Sequence, residues 1–171
     1  MTLSDAKALI NCDQLNASQP QTWFDLGCGA GLFSKALHTL LPQGSLIYAV
    51  DQQPATFNSK EIKFLQLDFV KDKLPVYSVH GIIMANSIHF VKDKAQFLER
   101  IKKHLLIDGS FLLVEYDMEV SNKWVPYPLS FLAATTLFKK VGFEFANKIS
   151  ERASIFNDQR IYSALFLNHK H

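Results

Sequence analysis

Cysteine is scarce in this chain of 171 residues: only Cys12 and Cys28 occur, and neither belongs to a Cys-x-x-Cys pair. The six histidines are scattered, with His169 and His171 in a polar tail, so no spacing resembles a zinc site or gives a disulfide framework. Long apolar runs are missing as well. Nothing approaches the roughly 18 apolar residues of a membrane span, and no short apolar segment follows a basic start. Neither a membrane span nor a signal peptide is expected, and the cytoplasm is the expected compartment. An excess of one charge is also lacking, because 18 basic against 16 acidic residues leave a net +2. Such a chain has no bulk field to draw in nucleic acid or anionic lipid, so the expected partner is a small molecule. What is abundant is apolar side chain. At 48% hydrophobic, the sequence can build one substantial core and not two, which predicts a single domain over 1–171.

The most informative stretch is Phe24-Asp25-Leu26-Gly27-Cys28-Gly29-Ala30-Gly31. A buried strand ends in an acid and enters a glycine-rich turn, and Leu32 to Leu37 then follow at helical spacing. Glycine suits a sharp turn at positive φ that approaches a ligand without a Cβ, and a helix start aims unpaired N–H groups at it. Cys28 reads as a small spacer rather than a nucleophile. Ser45 to Val50 form a second strand ending in Asp51, about 20 residues beyond the last glycine, where a carboxylate can hold ribose hydroxyls. A nucleoside-containing ligand is predicted. The spacing Gly-x-Gly-x-Gly departs from the Gly-x-Gly-x-x-Gly of dinucleotide sites, and Asp25 would repel a pyrophosphate while suiting an amino group or a sulfonium.

Asp25-Leu26-Gly27-Cys28-Gly29-Ala30-Gly31 closely resembles the first motif of the class I S-adenosylmethionine (SAM)-dependent methyltransferases. Further segments match in order: Ile62 to Leu67 leading into Asp68-Phe69, then Gly81 to Ala85 delivering Asn86-Ser87-Ile88-His89-Phe90, similar to the Asn-x-x-His-Phe segment of small-molecule members. A fifth strand, Ser110 to Tyr116, follows the turn Ile107-Asp108-Gly109. The resemblance runs from about Thr22 to the end. It implies SAM as cofactor, with S-adenosylhomocysteine as product. It assigns Asp25, Gly27, Gly29 and Gly31, with Cys28 in the same loop, to the methionine part. Asp51 would hold the ribose, Asp68 and Phe69 the adenine, Gln52 would lie beside the adenosine and Asn86 would face the methionine end.

Strands alternate with helices to about Val141, which predicts an α/β fold with a doubly wound, mostly parallel sheet. One helix, from Lys94 to about Leu105 after the cap Asp93, carries Lys94, Arg100, Lys102 and Lys103 on a face expected to be solvated. Another runs from about Leu129 to Val141. The strands Phe143 to Ser150 and Arg160 to Leu167 are joined too tightly for a helical crossover and should form an antiparallel hairpin. The family ends in the same way, a Rossmann-like sheet of seven strands with the last inserted between the fifth and sixth.

Two departures from the family layout stand out. Only 21 residues precede the first strand, with one short helix, Ser4 to Ile10, in place of a longer lid. The connections Pro54 to Glu61 and Phe69 to Val79 leave room for about one helical turn each. An open, shallow site is expected, suited to a bulky substrate or to completion by a partner protein. SAM brings its own electrophilic methyl group, so a base is needed only for an acceptor that arrives protonated. His89 is the foremost acid–base candidate, with a packing role as its alternative. Tyr116 and Asp117 come next, as catalytic or substrate-contacting groups or as ordinary strand-end polar residues. Trp124 and Tyr127, in a proline-rich insert, either wall the substrate site or cover the sheet edge. No metal site is expected. The competing readings are a SAM-binding module without catalysis, acting with another subunit, and an NAD-dependent oxidoreductase.

Overall fold

The computed structural model describes residues 1–153 and 159–169. Helix α1 (Leu3–Ile10) opens on a capping box, in which the Thr2 hydroxyl accepts from Asp5 N–H and the Asp5 carboxylate accepts from Thr2 N–H. The order then runs β1 (Thr22–Leu26), α2 (Leu32–Leu40), β2 (Leu46–Asp51), β3 (Ile62–Gln66), β4 (Val79–Ala85), α3 (Lys94–Lys102), β5 (Leu105–Tyr116), α4 (Phe131–Lys140), β6 (Glu144–Ala153) and β7 (Arg160–Asn168). One seven-stranded sheet holds them all, in the order β3-β2-β1-β4-β5-β7-β6. The first five strands are parallel, and β7 lies antiparallel between β5 and β6. The order reverses direction between β1 and β4, which makes the carboxyl ends of those strands the switch point where open sheets receive ligands.

Strand alternation sorts the core into two layers. On β1, Trp23 joins the layer under α1 and α2, with Leu9, Ile10, Leu37, Ile47 and Ile83. Its neighbour Phe24 joins the layer under α3 and α4, with Met84, Phe97, Ile101, Phe111, Phe138 and Phe166. Each buried Leu, Ile or Phe contributes about 1.5–3 kcal/mol, so both layers are needed. Gly81 makes room for Trp23: a Cβ there would stand 2.4 Å from the indole ring. The outer strand β6 is largely exposed and carries Lys148, Glu151 and Arg152, charges that discourage edge-to-edge pairing. Arg152 also reaches Asp5 of α1 at 2.8 Å.

Several boundaries differ from expectation. The third helix stops at Lys102 because Leu105 is taken into β5, whose pairing with β4 begins at Val79–Leu105 and shifts register before Gly81–Ser110. The expected turn at Ile107-Asp108-Gly109 is thus an irregularity inside a longer strand, with Asp108 at φ 61°. The connections before β3 and before β4 contain turns and bends but no helix. Three of the four cations expected to be solvated are used instead: Arg100 donates to carbonyls of the 69–72 loop, and Lys102 Nζ to those of Val141 and Gly142. Lys94 Nζ likewise donates to Val91 O.

Candidate active site

Leu26, at the end of β1, leads into a loop that the neighbouring strand holds in place. The N–H groups of Gly27 and Cys28 both donate to Val50 O, at 2.8 and 3.0 Å, and Gly31 N–H closes a turn onto Cys28 O at 2.8 Å. Gly27, Gly29 and Gly31 all have positive φ, the conformation for which glycine is favoured. Next to this loop, the Asp51 carboxylate is oriented twice: Oδ2 accepts from Gly29 N–H at 2.8 Å and Oδ1 from Gln53 N–H at 2.9 Å. Each oxygen keeps a lone pair for a ligand. The Cys28 Sγ–H donates to Gly29 O, and burial, followed by the charges of Asp25 and Asp51, pushes its thiol far above the usual range. A thiol so raised is a spacer and a poor nucleophile.

Asp68 and Phe69 follow β3 on a loop that Arg100 clamps. The guanidinium donates to Phe69 O at 2.6 Å, Val70 O at 2.8 Å and Asp72 O at 3.0 Å. Partial burial pushes the Asp68 carboxyl up, but the Lys71 ammonium and the N–H groups of Val70 and Lys71 outweigh it and hold it below its usual value. Asn86, just past β4, has φ 53° and donates its N–H to Val114 O. Its side-chain Oδ1 is sealed from solvent without a hydrogen-bond partner. An unpaired buried acceptor costs about 1–3 kcal/mol, so it marks a place prepared for a donor.

These groups surround one cavity of about 830 Å³ at the carboxyl edge of the sheet. Of the residues expected to bind cofactor, Gly27, Cys28, Gly29, Asp51, Gln52, Asp68, Phe69 and Asn86 line it, together with Met1, Phe33, Ser87 and Phe90. Asp25 and Gly31 lie behind this wall. Asp25 is buried; its Oδ2 accepts from Ser34 Oγ–H at 2.5 Å and its Oδ1 has no partner. Burial pushes its carboxyl up to about 7, opposed by the Ser34 hydrogen bond and assisted by the charge of Asp51. Gly31 faces the Phe57 ring.

The acceptor-side candidates occupy the next segment. His89 and Phe90 form a single 3-10 turn, Ile88–Phe90, in which His89 is buried and Phe90 is 57% exposed on the cavity rim. The imidazole Nδ1 lies 3.0 and 2.9 Å from the two carboxylate oxygens of Glu115, itself fully buried. Sequence reasoning missed Glu115, and its only signal is one acid directly after the apolar run Phe111 to Val114 of β5. Tyr116 stands 6.3 Å from His89, ring to ring, and Asp117 Oδ1 accepts from Phe131 N–H. Tyr127 N–H donates to His89 O, tying the insert to the turn, while Trp124 is 71% exposed beside Lys123. Among the described residues no group of three or more His, Cys, Asp or Glu could hold a metal ion, and no helix is long and apolar enough to cross a membrane.

Comparison with known proteins gives this geometry a context. A family model described as a methyltransferase domain matches residues 24–111. No curated protein matches the sequence significantly. Among solved structures, a Burkholderia thailandensis 1,6-didemethyltoxoflavin-N1-methyltransferase, with 1,6-didemethyltoxoflavin and S-adenosylhomocysteine bound, superposes with a TM-score of 0.77 at 14% identity, over 98% of this chain and 78% of that one. A SAM-dependent methyltransferase from Aquifex aeolicus gives 0.68 at 17% identity, over 98% and 99%. A complex between the Haloferax volcanii Trm112 methyltransferase activator and a methyltransferase gives 0.71 at 18%, over 99% and 89%. At such identities the likeness is one of fold, and the matched motif residues supply the rest. The chain belongs to the class I SAM-dependent methyltransferases, and its cofactor is SAM.

Proposed function

We propose that this protein transfers the methyl group of SAM to a small-molecule acceptor, working as one domain over 1–171 in the cytoplasm. The observation that carries this reading is the convergence of the glycine loop, Asp51, the Asp68–Phe69 loop and the orphaned Asn86 Oδ1 on one cavity. The residues fit the cofactor. Asp51 would accept from the ribose hydroxyls, and Asp68 with Phe69 would hold the adenine beside Gln52. Gly27 to Gly29 would leave room for the methionine part, and Asn86 Oδ1 would accept from its ammonium. Asp25, through Ser34, would fix the loop from behind. A wall rich in carboxylates and acceptors favours a cationic ligand.

When bound, SAM supplies a methyl group already activated by its sulfonium. The protein's part is to align the acceptor and exclude water, for which Phe33, Phe69 and Phe90 are available on the wall. His89 and Tyr116 are the proposed chemical groups beside the acceptor. Trp124 and Tyr127 are assigned to the acceptor wall, the latter tied to His89 by its N–H. Asp117, whose carboxylate is committed to Phe131 N–H, is assigned to holding that insert. The near-neutral charge and the small heteroaromatic in the B. thailandensis structure support a small acceptor.

Calorimetric titration with SAM, S-adenosylhomocysteine and NAD tests the cofactor, and methyl-labelled SAM offered with a metabolite pool tests turnover. Binding of NAD in preference to SAM would refute the reading. A second reading, completion of the site by a partner protein, is favoured by the exposure of Phe90 at the rim and of Trp124 on the insert, and is in keeping with the activator complex of the H. volcanii relative. Turnover that appears only in a copurified complex would support it.

A further inference from the structure

We propose that the groove between α4 and β6 is a second ligand site, built for a small zwitterion with an aromatic side chain, such as a free aromatic amino acid. No residue of this groove lines the cofactor cavity, so the site stands or falls independently of the methyltransferase reading.

Chain direction places the groove. Because β7 runs antiparallel to both β5 and β6, the start of β6 and the end of β7 lie at the amino edge of the sheet, opposite the glycine loop. There Gly142, at φ 82°, turns the chain out of α4, and a cavity of about 630 Å³ opens between the end of the helix and the first residues of the strand. Two rings line it. Phe143 is buried and packs on Phe111 and Phe138, with centroids 5.9 and 5.3 Å away. Phe145 is held by Phe131 at 5.9 Å and Phe166 at 5.8 Å, yet stays 39% exposed. An exposed ring already fixed by its neighbours loses little freedom when a ligand ring covers it.

Charge distinguishes the two walls. Lys139, exposed on the helix, and Glu144, on the strand, both line the cavity without pairing with each other. Glu144 Oε2 instead faces His169 Nε2 at 3.2 Å, and His169 Nδ1 faces Asp108 Oδ1 at 2.6 Å, so the carboxylate is held on the strand side. A ligand therefore meets a cation on one wall and an anion on the other. Thr135 and Thr136, also on the lining, each donate a hydroxyl proton to Leu132 O, at 2.9 and 3.0 Å, so what their oxygens retain is acceptor capacity. An aromatic amino acid matches every part of this set. Its carboxylate would go to Lys139, its ammonium to Glu144 and the threonine oxygens, and its ring to Phe145. A simple anion would be repelled by Glu144 and a simple amine by Lys139, a penalty that the zwitterion avoids.

The test is an NMR titration of the whole protein with L-phenylalanine, phenylacetate and phenethylamine. Phenylalanine should shift the backbone amides of residues 135–145 saturably, with a Kd of about 1 mM or tighter. Phenylacetate and phenethylamine each lack one charge and should bind about threefold to fivefold more weakly. Lys139→Ala should weaken phenylalanine by a similar factor and spare phenethylamine, whereas Glu144→Gln should weaken phenylalanine and spare phenylacetate. Both side chains are exposed, so the amide spectrum outside the groove should stay that of the wild type. Three results would overturn the assignment: no saturable shift in 135–145, either half-ligand binding as well as phenylalanine, or wild-type affinity in both variants. Displacement of phenylalanine by S-adenosylhomocysteine would do so too, by putting it in the cofactor cavity.

Discussion

Gly27 and Ser87 meet so closely that a methyl group on Gly27 would stand 2.4 Å from Ser87 Cβ and 2.9 Å from its Oγ. The Ser87 hydroxyl is itself committed to Leu26 O at 2.6 Å, so the serine has nowhere to retreat. Two loops from neighbouring strands are joined at this point.

Gly27→Ala should accordingly destabilise the free protein by about 2–4 kcal/mol, the sum of overpacking and a strained φ. Gly29→Ala offers a contrast. Its added Cβ meets nothing within 4 Å, so only backbone strain, about 1 kcal/mol, should appear in denaturant unfolding. Because Gly29 lines the cavity, the same substitution should lower S-adenosylhomocysteine affinity at least tenfold. A loss of stability at Gly29 equal to that at Gly27 would contradict this division.

Asp51→Ala should weaken S-adenosylhomocysteine binding by about 1–3 kcal/mol, through lost bonds to the ribose and release of the Gly29 and Gln53 N–H groups. Asp51→Asn keeps an acceptor and should lose less. Calorimetry on the two variants separates charge from geometry, and an unchanged affinity in both would mean that the ribose lies elsewhere.

Asp25 predicts a pH dependence of stability. Its carboxyl in the folded protein is pushed up to about 7 by burial, against 3.8 for the free group. Between those values the folded chain holds a proton that the unfolded chain has released, so this contribution falls as pH rises from about 4 to 7 and stays low above that. Asp25→Asn should remove the slope. Relative to wild type, the variant should gain on the order of 3 kcal/mol between pH 4 and pH 8 in ligand-free urea titrations. A difference independent of pH would show Asp25 ionised throughout.

Arg100 should matter to a site that it does not touch. Arg100→Ala removes donors from three carbonyls of the 69–72 loop, and amide hydrogen exchange there should accelerate about tenfold or more. Cofactor affinity should fall several-fold, while the folded core keeps its exchange protection. Unaltered exchange in residues 69–72 would remove Arg100 from the site's support.

The parts of this protein that sequence makes legible are those set by short-range pattern. Trp23 and Phe24 alternate into opposite core layers, the glycine spacing specifies the loop, and strand-terminal acids mark where Asp51 and Asp68 emerge. The antiparallel close follows from the short link before Arg160. Long-range pairing is not legible in this way. Arg100 sits on a helix face that reads as solvated, and only the fold brings the 69–72 carbonyls to it. Glu115 passes in the sequence as one more residue of the fifth strand, until the turn after β4 delivers His89 against it. Asp25 looks like a ligand-facing acid because it abuts the glycines, but strand alternation turns its side chain behind the loop towards Ser34.

The loop ties described above carry a thermodynamic consequence. Gly29 N–H is already bonded to Asp51, the Gly27 and Cys28 N–H groups to Val50 O, and Ser87 to Leu26 O before any ligand arrives. The receptor is therefore preorganised, and little conformational entropy remains to be lost at the nucleoside end. Ordering on association is left to the exposed aromatic rim, so selectivity among acceptors, rather than affinity for the methyl donor, is where this scaffold has freedom to diverge.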